Sequence, residues 1–395
     1  MCIRDRDEGH DKKIMIPYGR QSIDEEDVQG VVAALRSDWL TTGPRVAEFE
    51  EAFAQSTGTQ HGVAVSSGTA ALHASMYALV IGSGDEVIVP ALTFAATANC
   101  VVFQGGTPIF CDVEPDTLLI DPEQIEKKIT SKTKAVVAVD YAGHPCDYDT
   151  LRVITDKHGL NLVADACHAL GGEYKGRTVG SLADLSNFSF HPVKHITTGE
   201  GGMITTNQVA LAERMRLFRN HGINTEFRER EQLGSWHYEM VDLGYNYRIT
   251  DIQCALGIGQ LRKLPNFIKR RREIAVLYDQ ALSSVSEVEP LTVRDNILHA
   301  YHLYVVKVDF SKARGGRIAF FRLMQARGVR ANVHYIPVHL HPFYVKKFGT
   351  GSGLCPVAEE EYEKIVSLPI YPAMTNDDVD KVVSAFEETL VEMGL

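Results

Sequence analysis

Short apolar runs alternate with helix-like segments through the first half of this chain, and that alternation limits its fold more than any other feature. The runs are 61–65 (His-Gly-Val-Ala-Val), 86–90 (Glu-Val-Ile-Val-Pro), 107–113, 134–140 and 162–166 (Leu-Val-Ala-Asp-Ala). Helical patterns over 71–80, 95–104, 121–129 and 149–158 separate them, the third with Pro122 in its first turn. Strands apolar on both faces and divided by helices predict an α/β fold, a mainly parallel sheet buried between helix layers. In such sheets ligands bind at the carboxyl ends of the strands. Beyond residue 248 the pattern changes to a smaller α+β unit. It has a basic helical stretch over 248–282 with Pro265 as a break or kink, a strand over 301–310 and a helix over 318–327. A short strand over 332–336 and a closing helix over 377–393 complete it.

A chain of 395 residues is too long for one compact core. We expect a large domain over 15–260 with an N-terminal arm, and a small C-terminal domain over 261–395. Residues 1–14 are highly charged, lack an apolar pattern and read as a disordered extension. The formal net charge of −11 argues against a nucleic-acid or anionic-membrane surface. The run Lys269-Arg270-Arg271-Arg272 reads as a solvated helix face. Seven scattered cysteines without a Cys-x-x-Cys pair fit a reduced, cytoplasmic chain with no structural metal. No apolar run reaches membrane-spanning length and none reads as a secretory signal.

The chemistry begins with Asp165, delivered at the end of the 162–166 run. Lys194 follows in a loop rich in Gly and Thr. A carboxylate at a strand end and a loop lysine are what pyridoxal phosphate (PLP) requires. The lysine forms the Schiff base, and the carboxylate keeps the pyridinium nitrogen protonated. The plain alternative is a surface lysine in a polar loop. Ser66-Ser67-Gly68-Thr69-Ala70-Ala71 is a small-residue turn from strand to helix. Free N–H groups there make a phosphate cradle, although such turns also serve as tight connections. Ser189 is placed to reach the same phosphate, or is a buried serine bonded to backbone. Phe94 opens a helix after a strand end, suited to stack on a flat ring or to pack in the core. His168 is a candidate for the cofactor's phenolic oxygen, or a core histidine.

These residues sit inside motifs that resemble the DegT/StrS-type nucleotide-sugar aminotransferases, which are fold-type-I PLP-dependent transferases. The likeness spans residues 15–390. It rests on Trp39-Leu40-Thr41-Thr42-Gly43-Pro44, Ser66-Ser67-Gly68-Thr69-Ala70-Ala71-Leu72, Asp165-Ala166-Cys167-His168-Ala169-Leu170-Gly171 and Ser189-Phe190-His191-Pro192-Val193-Lys194. Gly199-Glu200-Gly201-Gly202, Gly244-Tyr245-Asn246-Tyr247-Arg248 and Val333-His334-Tyr335-Ile336-Pro337 complete the set. Val139-Asp140-Tyr141-Ala142-Gly143 and residues 194–202 are similar to the transaminase branch of pseudaminic acid biosynthesis.

The resemblance implies Lys194 and Asp165 as catalytic residues. It implies Gly68, Thr69, Ala70, Phe94, His168 and Ser189 as cofactor contacts, with Asn246 reaching the phosphate from the partner of a homodimer. Tyr18, Asp38, Trp39, Leu40, Thr41, His334, Tyr335, Ile336 and Pro337, with Gly68, Ser189 and Asn246, would line the substrate site. The implied substrates are L-glutamate and a UDP-linked 4-keto-6-deoxy-N-acetylhexosamine aminated at C4, or another nucleotide 4-keto-6-deoxy sugar of the perosamine or bacillosamine type. Sugar dehydratases on this fold replace the lysine with histidine, whereas Lys194 is present here beside His195. A non-catalytic PLP-binding module is the alternative of another class, yet no segment reads as a helix-turn-helix domain.

Overall fold

The computed structural model describes residues 15–225, 230 and 234–395. The expected extension over 1–14 lies outside the described residues. The apolar runs form β1 (His61–Val65), β2 (Glu86–Pro90), β3 (Thr107–Cys111), β4 (Thr133–Val139) and β5 (Asn161–Asp165). A short hairpin, β6 (Glu173–Tyr174) and β7 (Arg177–Thr178), precedes β8 (Leu185–Ser189) and β9 (Gly202–Thr206). Seven of these build one sheet in the order β1-β9-β8-β5-β4-β2-β3. The pairs among β2, β3, β4, β5 and β8 are parallel; β9 runs antiparallel to both β8 and β1. The central strands are almost wholly buried because helices cover both faces, which is why they carry Val, Ala and Ile at consecutive positions.

Helices Gly68–Ala78, Ala96–Phe103, Pro122–Lys128 and Tyr148–His158 fall where the periodicity places them. A 32-residue helix, Asp251–Leu282, begins at a capping box in which Thr250 and Gln253 satisfy each other's backbone N–H groups. It runs on through Pro265, where a break or kink was expected. Pro265 itself lies on the exposed side of the helix, while Leu261, Leu264 and Ile268 on either side of it pack into the core.

This helix also crosses the expected boundary at 260/261. Its residues Leu261, Leu264, Phe267 and Ile268 belong to the core around the large sheet. Ile274, Ala275, Tyr278 and Leu282 belong to a second core. That second core lies under a sheet of β10 (Val288–Pro290), β12 (Tyr304–Val308) and β13 (Ile365–Leu368), while β11 (Ile297–Leu298) pairs with β6. The long helix thus contributes residues to both cores. The strand expected over 332–336 is absent. Asn332 makes one bridge to Ser367, and its Oδ1 then takes the Val333 N–H, which ends the ladder. Among the described residues no helix is long and apolar enough to cross a membrane.

Seven buried histidines have pKa values below the usual imidazole range, in each case first because burial disfavours the charged ring. They are His73 (about 4), His334 (about 3), His144, His168, His195, His299 and His302. Below pH 6.5 the unfolded chain protonates these rings and the folded chain does not, so acid favours unfolding. Asp140, raised to about 7 by burial, and Asp279, also raised by burial, act with the opposite sign, but they are two groups against seven. Stability should therefore fall as pH drops from 6.5 towards 4. Melting temperatures measured at pH 7.5, 6.0 and 5.0 should decline in that order.

Candidate active site

Three chain segments meet at the start of β9. Gly202 pairs with Ser189 at the end of β8 and with Val65 at the end of β1. The loop between β8 and β9, which carries Lys194, is thereby held over the carboxyl ends of the parallel strands. The approach is so close that a Cβ on Gly202 would lie 2.4 Å from Ser67 O, which only glycine avoids. Gly68 is equally constrained, because an added Cβ would fall 2.8 Å from Ser189 Cβ. β5 ends beside β8 and presents Asp165 in the same place.

The result is a cavity of about 400 Å³ lined by Lys194, Asp165, Gly68, Thr69, Ser189 and Phe94, with Tyr18, His168, His334 and Tyr335 also on its wall. Its floor includes the N-terminus of helix Gly68–Ala78. Ser67 caps that helix by accepting the Ala70 N–H at 3.1 Å. Gly68 and Thr69 keep N–H groups with no intrahelical partner, whereas the Ala70 N–H expected in the cradle is already engaged. Two backbone donors, a helix dipole and the Ser189 hydroxyl suit a phosphate.

Asp165 is buried and its two oxygens are held differently. Oδ2 accepts from Thr97 Oγ1 at 2.7 Å, and Thr97 Oγ1 lies 2.8 Å from Thr93 Oγ1. Oδ1 accepts the Cys167 N–H at 3.3 Å. The carboxylate is thus fixed in orientation with lone pairs to spare. Lys194 is half-buried, and among the described residues its amine has no hydrogen bond. Burial pushes its pKa down; Cys167 and Asp165 pull it back up, and Arg271 adds to the lowering. A lysine lowered in this way presents more free amine near neutral pH.

His168 is held at Nε2 by the Tyr335 hydroxyl at 3.0 Å, while its buried Nδ1 has no partner. Tyr335 is steadied in turn by Tyr141, whose hydroxyl donates to the neighbouring His334 carbonyl. Tyr141 stands in a tight turn anchored by buried Asp140, which accepts the Cys146 N–H and the Tyr148 hydroxyl, each at 2.9 Å. Phe94 is 57% exposed, its ring 5.8 Å from that of Tyr335, and so is open to a flat ligand. The arrangement fits PLP: a cradle that a Cβ would fill, an orphaned buried imidazole nitrogen, a fixed carboxylate and an unpaired amine.

Not every expected residue comes to this cavity. Ile336 is exposed, Pro337 is buried, and neither lines it. Asp38, Trp39, Leu40 and Thr41 also lie elsewhere. Thr41 bridges Thr250 and lines a second cavity of about 550 Å³ with Arg216, Arg219 and Arg248. Asn246 is exposed on a segment tied to the end of β1 by the bond from Ser66 N–H to Tyr247 O, and it too stands outside its own chain's cavity. Sequence reasoning missed Thr97, Tyr141 and His302. Thr97 had a usable signal, its i, i+4 spacing from Thr93 on a helix opening after a strand end. Tyr141 stood out only as part of the 139–143 motif and not as a site residue, and His302 had no signal, since a histidine among apolar neighbours reads as core.

Comparison with known proteins agrees with the geometry. Residues 21–387 match the model of the DegT/DnrJ/EryC1/StrS aminotransferase family. The chain is 42% identical over 375 residues to the spore coat polysaccharide biosynthesis protein SpsC of Bacillus subtilis, covering 94% of this chain and 96% of that one. It is likewise 42% identical over 382 residues to the uncharacterized protein MJ1066 of Methanocaldococcus jannaschii, covering 96% and 99%. Among solved structures, a putative sugar aminotransferase of Streptococcus pneumoniae, Spr1654, in its PMP form superposes with a TM-score of 0.91 at 33% identity, covering 96% of this chain and all of that one. Helicobacter pylori PseC, an aminotransferase of pseudaminic acid biosynthesis, does so at 0.89 and 33%, covering 96% and 100%. With Lys194 and Asp165 on one cavity wall and the family match spanning nearly the whole chain, this protein belongs to the DegT/DnrJ/EryC1/StrS aminotransferase family and is a fold-type-I, PLP-dependent aminotransferase.

Proposed function

We propose that this enzyme moves an amino group from L-glutamate to C4 of a UDP-linked 4-keto-6-deoxy-N-acetylhexosamine, the amination used in pseudaminic acid biosynthesis. The observation that carries the reading is the amine of Lys194, without a hydrogen bond among the described residues, in one cavity with the fixed carboxylate of Asp165. The likeness to PseC and the Asp140-Tyr141-Ala142-Gly143 turn support the choice of sugar. The likeness to SpsC, a polysaccharide biosynthesis protein, favours as second reading another nucleotide 4-keto-6-deoxy sugar of the perosamine or bacillosamine type.

Bound PLP supplies an electron sink for the carbon that loses its proton. The chain's own residues then divide the work. Lys194 would bond the cofactor and, when its amine is free, would hold and move a proton at the amino-acid carbon as base and acid. Asp165 holds a proton on the ring nitrogen by charge pairing, and Thr97 and the Cys167 N–H keep that carboxylate aimed. Gly68, Thr69 and Ser189 would bind the phosphate, Phe94 would pack on the ring, and His168 would take the phenolic oxygen. Tyr18, His334 and Tyr335 line the sugar side.

A second copy of the chain completes the site. Asn246 of the partner subunit would reach the phosphate, and the 38–41 segment and exposed Ile336 would line the sugar-nucleotide side of the completed site. Trp236, Met240, Val241 and Leu243, all exposed beside Asn246, offer the apolar surface such a homodimer buries. A reduced, cytoplasmic setting suits the buried free thiols.

Lys194→Ala should lower turnover by roughly 10³-fold or more and abolish the absorbance of covalently held cofactor; multiple turnover at the wild-type rate would refute the lysine's role. Asp165→Asn should fold normally and lose on the order of 100-fold in kcat. Thr97→Val removes one hydrogen bond to a charged group and should cost about tenfold in kcat with little change in KM. A glutamate-dependent assay across UDP-, GDP- and dTDP-linked 4-keto sugars tests the substrate, and a preference for a GDP or dTDP sugar would favour the second reading.

A further inference from the structure

His302 stands on the wall of the Lys194 cavity, only 4% exposed, in a segment remote in sequence from Lys194 and Asp165. Among the described residues neither of its ring nitrogens makes a hydrogen bond, and Nδ1 is wholly buried. Buried polar groups are nearly always satisfied, because leaving one unpaired forfeits its bonds to water. An imidazole unpaired at both nitrogens and facing a cavity is therefore unfinished without a ligand.

Its surroundings indicate the ligand's charge. The His302 ring lies 4.3 Å from that of His168 and 5.7 Å from that of His195. Behind it Arg271 is completely buried. The guanidinium donates through NH1 to the carbonyls of Tyr301 (3.1 Å), His302 (3.3 Å) and Ile370 (2.9 Å), which fixes the backbone carrying the ring. Its Nε and NH2 have no partner, and no carboxylate pairs with it among the described residues. The fixed charge around His302 is thus positive, from Arg271 and Lys194. The cavity's carboxylates are Asp165, committed to Thr97 and the Cys167 N–H, and the exposed Glu200. Burial first, then Lys194, His168, His195 and Arg271, hold the His302 ring neutral. A neutral imidazole has one N–H to give, and the surrounding field favours a negative acceptor.

We propose that His302 is a binding residue that donates a hydrogen bond to an anionic oxygen of the molecule seated in the Lys194 cavity, with Arg271 as its positioning residue. The proposal rests on the reading of that cavity as the site of PLP and glutamate. Two sources present such an oxygen: the phenolic oxygen of the cofactor and the α-carboxylate of the amino donor.

The test uses the full-length enzyme and two variants, His302→Phe, which keeps the shape without a donor, and His302→Gln, which keeps a donor. Three quantities are measured: melting temperature, the PLP dissociation constant by titration of the cofactor-free protein, and glutamate KM apart from kcat. Deleting two unpaired nitrogens costs the fold little, so His302→Phe should melt at or above the wild-type temperature. Affinity should fall roughly ten- to hundredfold, and His302→Gln should recover part of it. A weakened PLP constant with unchanged glutamate KM identifies the cofactor oxygen; the reverse identifies the donor carboxylate. Unchanged values of both in His302→Phe would overturn the proposal. So would a Phe variant that unfolds while His302→Gln melts as wild type with both constants intact and no PLP or glutamate effect. If the wild type binds PLP but ignores glutamate, the functional reading fails, and the PLP constant alone decides His302, an unchanged value overturning it.

Discussion

The site depends on the meeting of three strand ends at Gly202. A parallel sheet delivers its carboxyl ends to one edge, but parallel strands alone would carry the chain from each end straight into a covering helix. Here β9 turns back antiparallel between β1 and β8, and its first residue touches both. The loop it closes must therefore span the sheet edge, and Lys194 is placed above Asp165 and beside Ser67, Gly68 and Ser189. The glycines follow from this crowding. At 202 and 68 a side chain would collide with backbone or with Ser189, so the turn at Ser67–Thr69 and the lysine loop approach each other only because both lack a Cβ there.

Around that junction the protein manages charge by burial and by fixed hydrogen bonds. Asp165 is oriented by a threonine pair and a backbone N–H. Lys194 has its charge disfavoured by burial and by Arg271. Burial pushes the pKa values of its imidazole neighbours His168, His195 and His302 well below the usual range. The same burial makes the fold sensitive to acid, since each neutral ring is a proton the unfolded chain would bind.

Much of this was legible in the residues. The runs at 61–65, 86–90 and 162–166 became strands, the last one shifted by a residue to Asn161–Asp165, because apolar residues at consecutive positions suit a sheet covered on both faces. Lys194, Asp165, Gly68, Thr69, Ser189, Phe94 and His168 were identifiable because their chemistry is local, a strand end, a helix start or a loop. Pro265 did not break its helix, because the flanking Leu261, Leu264 and Ile268 are held by packing that the sequence does not state. The strand expected at 332–336 failed because Asn332 turned its own side chain onto the next N–H.

By itself, then, the sequence determined the parallel α/β sheet, the lysine–aspartate pair and the small-residue turn into helix Gly68–Ala78. Each follows from periodicity or from one segment's own hydrogen-bonding demands. Only the tertiary structure decided that Thr97 aims Asp165, that Tyr141 steadies His334 and Tyr335, and that His302 joins the cavity wall over a buried Arg271. It also showed that residues 38–41 and Asn246 stand outside their own chain's cavity. These relations join segments remote in sequence through single hydrogen bonds and ring contacts. No local pattern encodes them, because they exist only once the sheet's register has fixed which strand ends lie side by side.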